Sequence, residues 1–203
     1  MDLTSWLQVV LVCTLGAVSP GPSFFVVISN AKLGGYYKGI STSVGHGLGI
    51  AVYALFSVYG LTFLFLIIPD GYRIINWFGA IFLVFFGIKL WSSSFKSSKE
   101  RIGLGSHEVF SGFWGGALIA LLNPKVAIFF LAIFSQFVDQ ETRSEVRLTL
   151  VATATLIDMA WYILVSTIFS WKRMISLMIR YSNIFDRVVG TFFILFSARV
   201  IFY

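Results

Sequence analysis

The feature that most constrains this chain is a series of apolar segments, each long enough to cross a lipid bilayer as a helix. A membrane-spanning helix needs about 20 predominantly apolar residues. Six stretches of the sequence have that length, and they cover approximately residues 3–29, 39–68, 72–90, 109–138, 147–170 and 183–202. Only 12% of all residues are charged, whereas soluble proteins average about 25%. The sequence therefore predicts an all-α integral membrane protein with six transmembrane helices.

Little of the chain is left for enzymatic, redox or metal chemistry. Six crossings and short connections account for the 203 residues, so we expect no catalytic domain and no enzymatic activity. The sequence has one cysteine, Cys13, and two histidines, His46 and His107. These are too few ligands for a metal cluster and too few thiols for a thiol relay, so we predict no metal and no cofactor. The net charge of +6 comes from basic residues dispersed between apolar segments, which argues against a nucleic-acid partner.

The basic residues predict how the chain is inserted in the membrane. Eight of them lie in the first, third and fifth connections, and three lie in the second and fourth. Lysine and arginine accumulate in cytoplasmic loops, so the odd connections are predicted to be cytoplasmic and both termini external. A linker over residues 91–108 separates residues 1–90 from residues 109–203, with three helices in each half. The second half is then inverted relative to the first, a plan found in many secondary transporters.

Prolines interrupt the first and fourth predicted helices near mid-span. The two elements are Ser19-Pro20-Gly21-Pro22 and Asn123-Pro124-Lys125. A proline within a helix removes an amide donor and displaces the carbonyl four residues earlier, so we expect free carbonyls at Gly16, Val18 and Ala120. A single break is often a packing kink, but breaks at matching depth in two halves are the best sequence pointer to a transporter's binding site. We therefore assign substrate binding to both elements and to the neighbouring Ser23.

Two opposite charges are predicted at the same depth, Lys125 in the fourth helix and Asp158 in the fifth. Each would cost about 2.5 to 3.5 kcal/mol if it faced lipid, so both should face the protein interior, where they can pair. Such a pair is either a fixed structural contact or part of a substrate and proton path. We assign proton coupling to Asp158. When a substrate binds, Lys125 turns to the substrate and no longer pairs with Asp158, which can then take up a proton.

The second predicted helix has one polar or small face, which should look inward. Its members are Thr42, His46, Gly49, Tyr53 and Ser57. Gly45 and Gly49 form a small-xxx-small pair, which is typical of close helix packing. Glycines on this helix would also permit a homodimer without requiring one. His46 is either a hydrogen-bonded structural imidazole or a second proton-coupling group.

Taken together, these elements resemble the LysE/RhtB family of bacterial amino-acid exporters. The matching elements are six spans in two halves, Ser19-Pro20-Gly21-Pro22, the glycines from Gly39 to Gly60-Leu61, Gly79 through Gly87-Ile88-Lys89-Leu90, and Leu122-Asn123-Pro124-Lys125 followed by Phe129 to Val138. The resemblance covers nearly the whole chain. It implies an inner-membrane protein that exports amino acids from the cytoplasm, with the proton motive force as the energy source.

One position departs from the family pattern. Seven residues before Gly60, many relatives carry histidine or an acidic group, whereas this chain has Tyr53. The resemblance therefore implies a neutral substrate of the homoserine or threonine type, places Tyr53 among the substrate-binding residues, and moves the ionisable role to His46. Export of another small solute or of a metal cation is the alternative, although His46 and Asp158 lie on different helices without a local cluster of ligands.

We expect reporter fusions at Lys99 and at Tyr203 to report opposite compartments, because the charge asymmetry places the linker in the cytoplasm and the C-terminus outside. An alkaline phosphatase fusion should be active only at Tyr203, and a green fluorescent protein fusion should fluoresce only at Lys99. If both positions report the cytoplasm, the six-span inverted repeat is wrong.

Overall fold

The computed structural model describes residues 1–19, 21–68, 71–93, 111–168 and 172–202. These residues form helices joined by short turns, so the described chain is all-α as expected. In order, the helices are α1 (Leu3–Val18), α2 (Pro22–Ile67), α3 (Gly71–Ser93), α4 (Gly112–Leu121), α5 (Pro124–Phe134), α6 (Ser144–Ile168) and α7 (Lys172–Phe202). Most of the predicted linker over residues 91–108 lies outside the described residues, and so does Pro20.

Three of the described helices, α2, α3 and α6, are long and apolar enough to cross a membrane. A fourth crossing is formed if α4 and α5, which are bent by 60° relative to each other, count as one broken span. Helix α1 is apolar but has only 16 residues. Helix α7 begins at Lys172, so basic residues predicted to lie in a connection are helical instead. Helix length and composition therefore support a multi-pass membrane protein with three or four crossings among the described residues.

Helix α2 is a hairpin of two helical arms rather than one rod. A straight helix of 46 residues would be about 69 Å long, more than twice the hydrocarbon thickness of about 30 Å. Gly35 interrupts it with φ 80° and ψ 177°, a conformation that glycine adopts without a steric penalty. A Cβ on Gly39 would lie 2.7 Å from the Cβ of Ala31, although residues eight apart in a straight helix are separated by about 12 Å. The chain therefore turns back at Gly35, between two of the predicted crossings.

Glycines allow the helices to approach each other at backbone distance. A Cβ on Gly45 of α2 would lie 1.9 Å from the carbonyl oxygen of Phe113, and one on Gly116 of α4 would lie 1.9 Å from the carbonyl oxygen of Thr42. The packing role of Gly45 and Gly49 is confirmed, because both are buried against α4 within the chain. The homodimer that other glycines of this helix would permit stays a prediction.

Helices α3 and α7 cross in the same way. A Cβ on Gly87 would meet the carbonyl oxygen of Gly190 at 2.6 Å, and a Cβ on Gly190 would meet the carbonyl oxygen of Gly87 at 2.6 Å. Helix α2 also packs extensively on α6. The partners in these contacts, α3 with α7 and the second arm of α2 with α6, occupy equivalent places in the two predicted halves.

Large apolar side chains cover much of the outside of the bundle. Phe56, Phe78 and Leu66 are 74%, 71% and 66% exposed, whereas Phe65 and Phe193 are almost completely buried in the core. A soluble protein rarely exposes contiguous apolar surface on this scale. The exterior is therefore suited to contact with lipid.

Gly45→Ala should destabilise the protein, because the added Cβ would meet a backbone carbonyl that cannot move aside cheaply. Overpacking of this kind costs about 1 to 3 kcal/mol. Gly60→Ala is the matched control on the same helix, since a Cβ there meets no atom within 4 Å and alanine is the better helix former. Thermal unfolding of the two variants in detergent should show a lower Tm for Gly45→Ala and an unchanged or higher Tm for Gly60→Ala. Equal Tm values would contradict the tight contact between α2 and α4.

Candidate substrate-binding site

The two predicted helix breaks are present and are built alike. Helix α1 ends at Val18 and α2 begins at Pro22, with Gly21 as its N-cap. Helix α5 likewise begins at Pro124, with Asn123 as its N-cap. Proline is well tolerated at the first position of a helix, where its missing amide hydrogen would have no partner. Each break therefore places a helix N-terminus beside the interior, although the amides of Lys125, Val126 and Ala127 in the first turn of α5 all bond to Asn123.

The carbonyl freed at the second break is not the expected one. The carbonyl of Ala120 accepts a hydrogen bond from the amide of Asn123 at 3.2 Å, so it is satisfied. The amide of Lys125 donates instead to Oδ1 of Asn123 at 3.1 Å, which leaves the carbonyl of Leu121 without its usual helical donor. The hydroxyl of Tyr53 donates to that carbonyl. Tyr53 thus stabilises the break through a hydrogen bond to its backbone. Its side chain does not line the cavity described below.

The two breaks contact each other through their side chains. Nζ of Lys125 donates to Oγ of Ser19 at 3.3 Å, and Nδ2 of Asn123 lies 3.5 Å from Oγ of Ser23. The ammonium of Lys125 also lies 5.1 Å from the centre of the Phe86 ring, within the range of a cation–π interaction. The structure therefore brings together the two elements that the sequence had placed at equal depth.

The partner of Asp158 is His46 rather than Lys125. Nδ1 of His46 lies 2.7 Å from Oδ2 of Asp158, and both side chains are buried. The charge of Asp186, a buried residue of α7, acts on Lys125. The expected pairing of Lys125 with Asp158 is therefore wrong, because Asp158 bonds His46 and the ammonium of Lys125 bonds Ser19.

Lys125 and the His46–Asp158 pair border one cavity of about 50 Å³. Of the predicted site residues, the cavity is lined by Ser19, Gly21, Ser23, His46, Asn123, Lys125 and Asp158. Pro22 and Pro124 contribute the backbone geometry of the breaks. The remaining lining is largely apolar and includes Ile50, Val126 and Phe129.

Sequence reasoning did not assign a site role to three residues at or near this cavity. Tyr162 lines it and packs edge-on against His46, with ring centres 4.6 Å apart. Its position one helical turn after Asp158 was the available signal. Phe129 lines the cavity as well, although phenylalanine had been attributed only to the core and the lipid face. Asp186 belongs to α7, and nothing in the sequence linked it to Lys125.

Within the described ranges, no three histidine, cysteine or carboxylate side chains are grouped closely enough to hold a metal ion. The polar groups of the cavity are instead one lysine, one histidine–aspartate pair, hydroxyls and helix amides. Such a set can bind a small molecule that carries both a negative and a positive charge.

Comparison with known proteins gives matches over most of the chain. The sequence family described as LysE type translocator matches residues 14–203. The chain is 27% identical to the uncharacterized membrane protein YahN of Escherichia coli (strain K12), over 91% of this chain and 83% of the relative. It is 26% identical to threonine efflux proteins of Salmonella typhi and Escherichia coli (strain K12), over 98% of this chain and 98% of each relative. No solved structure shows a significant match.

Proposed function

Because the chain belongs to the family of LysE type translocators, we propose that it exports amino acids from the cytoplasm across the inner membrane in exchange for protons. As a member of a translocator family, it is a membrane transporter and not an enzyme. In this proposal both termini are periplasmic, and the two halves of the chain form an inverted repeat.

One observation supports this function above all: two helix N-termini and a lysine meet at one buried cavity. A helix N-terminus is the positive end of the helix dipole, so it favours an anionic group. The breaks before Pro22 and Pro124 supply two such termini, and Lys125 supplies a full positive charge beside them. The substrate's α-carboxylate binds at this end of the cavity.

The α-ammonium group of the same substrate binds at the histidine–aspartate pair. His46 and Asp158 line the cavity that Lys125 borders, and together they offer hydrogen-bond acceptors and a negative charge. A zwitterionic amino acid thus satisfies both poles of the cavity and adds no net charge to the low-dielectric interior.

The cavity lining favours a small, neutral side chain. Asp158 is the only carboxylate among the lining residues that the structure describes, and it already bonds His46. A basic side chain would therefore enter without a counter-charge of its own. The hydroxyls of Ser19 and Ser23 can accept or donate a hydrogen bond to a substrate hydroxyl, and two relatives are named threonine efflux proteins. We therefore propose threonine and homoserine as the substrate class.

Transport requires the cavity to open. Its volume is about 50 Å³, and one water needs about 10 to 15 Å³ of such space, so the cavity holds a few water molecules and must widen for an amino acid. The packing of α3 on α7 and of α2 on α6 places equivalent helices of the proposed repeats in contact, which supports alternating access by movement of one half against the other.

Lys125→Ala should weaken threonine binding by at least tenfold, because removal of one member of a buried charge pair costs about 2 to 5 kcal/mol and about 1.4 kcal/mol corresponds to tenfold in affinity. The matched control is Lys32→Ala, since Lys32 is exposed and lies away from the cavity lining. Binding of labelled threonine to purified protein measures both variants. If Lys125→Ala and wild type bind threonine equally well, the α-carboxylate of the substrate does not bind at Lys125.

Single cysteines at Ser23 and at Asn123, in a Cys13→Ala background, should be reached by small hydrophilic thiol reagents and be protected by threonine. The background change is needed because Cys13 itself lines the cavity. A cysteine at Ser135, which is fully buried and outside the cavity lining, should stay unlabelled. If none of a panel of transported amino acids changes the labelling, the cavity is not part of the transport path.

A further inference from the structure

We propose that Nε2 of His46 is the point at which a proton and the substrate's ammonium group exclude each other. This inference rests on the proposed amino-acid export and gives its coupling step an atomic location. Two observations support it. Nε2 is buried and has no hydrogen-bond partner among the residues that the structure describes, and His46 lines the cavity.

The contact with Asp158 determines what Nε2 offers to the cavity. A carboxylate accepts hydrogen bonds, so the short contact of 2.7 Å to Nδ1 requires the proton of a neutral imidazole to sit on Nδ1. Nε2 then carries a lone pair, which can accept one hydrogen. That hydrogen comes either from a substrate ammonium group, as N–H···N, or from a bound proton, which converts the ring to imidazolium.

The surrounding groups make the two occupants mutually exclusive. The titratable side chains that border the cavity with His46 are Asp158 and Tyr162 from α6, Lys125 from α5 and Cys13 from α1, while α4, over residues 112–121, has none. Protonated His46 and ionised Asp158 form a neutral pair. This end of the cavity then loses both the acceptor Nε2 and the net negative charge of the pair. An ammonium group would then face a cation at hydrogen-bond distance.

Exclusion at one atom is sufficient for antiport. On the cytoplasmic side, loss of the proton from Nε2 creates the ammonium site. On the external side, a proton that enters at Nε2 displaces the ammonium group and returns with the transporter. One proton moves inward for each amino acid that moves outward, and the amino acid stays zwitterionic throughout. Asp158 is the positioning residue in this scheme, because it fixes the ring and stabilises the imidazolium.

Threonine binding by the wild-type protein should therefore weaken as the pH falls, approaching tenfold per pH unit for competition with one proton, and binding should release protons. Both are measured on detergent-purified protein, by labelled-threonine binding between pH 5 and 8 and by a pH-sensitive dye in weak buffer. His46→Asn keeps a donor at the position of Nδ1 for Asp158 and removes the titratable Nε2. We expect this variant to bind threonine more weakly, because the ammonium group loses the acceptor Nε2, but still to perform counterflow in proteoliposomes, with pH-independent affinity, no proton release and no uphill efflux.

His107→Asn is the matched control, because it removes the only other histidine in the sequence and should behave like wild type. His46→Gln provides a second test if His46→Asn has a lowered Tm. Asp158→Asn should retain pH-dependent binding with its midpoint at lower pH, since the imidazolium loses its stabilising carboxylate.

The outcomes separate the inference from the function on which it rests. If the wild-type protein shows no counterflow with threonine or any other neutral amino acid, the proposed function is wrong. If wild type shows counterflow and both His46 variants still release protons on binding threonine, the His46 assignment alone is wrong. If proton release survives in the His46 variants and disappears in Asp158→Asn, the competition occurs at the carboxylate instead.

Discussion

A chain that crosses lipid must satisfy its backbone hydrogen bonds within itself, and this constraint determines the rest of the structure. Two interruptions of the helices, before Pro22 and before Pro124, depart from it. Each is stable because it is buried in the bundle and because side chains replace the missing backbone partners. Asn123 accepts from the amide of Lys125, and Tyr53 donates to the carbonyl of Leu121. The second break thereby places Asn123 and Lys125 at the wall of the cavity, where a ligand can use their side chains.

The second constraint is the cost of charge in the same interior. A single pair of Lys125 and Asp158 would satisfy two charges with one contact, but the substrate would then have to break that contact at both ends. The structure instead gives each charged group its own hydrogen-bond partner, His46 for Asp158 and the hydroxyl of Ser19 for Lys125. Both poles of the cavity can consequently stay charged while they accept a ligand. A proton can also be added at His46 without direct competition from the lysine.

The sequence predicted which residues border the cavity better than it predicted their contacts, for a physical reason. Proline in an apolar helix and a charge at mid-span are costly wherever they occur, so their positions alone point to a protected cavity. Which helices pack together depends on close-contact surfaces such as Gly45 with Phe113, and these are set by tertiary packing rather than by periodicity within one helix. The pairing of Asp158 and the involvement of Asp186 could not be derived from spacing. The turn at Gly35 was predicted, because the two apolar segments 3–29 and 39–68 are separate crossings, but the sequence did not show that the chain stays helical on both sides of this one residue.

The strengths of the contacts indicate where the bundle can open. The helix crossings at Gly45 and at Gly87 bring backbone against backbone, so they have little freedom to slide without loss of packing. The contacts that join the two breaks are different, because Lys125 to Ser19 and Asn123 to Ser23 measure 3.3 and 3.5 Å, at the long end of hydrogen-bond distances. A substrate carboxylate that binds Lys125 replaces one of these contacts with a stronger, charge-assisted one. In the proposed function, substrate binding weakens the junction between the two breaks, where the cavity must widen, while the glycine crossings keep residues 1–90 and 109–203 in contact elsewhere.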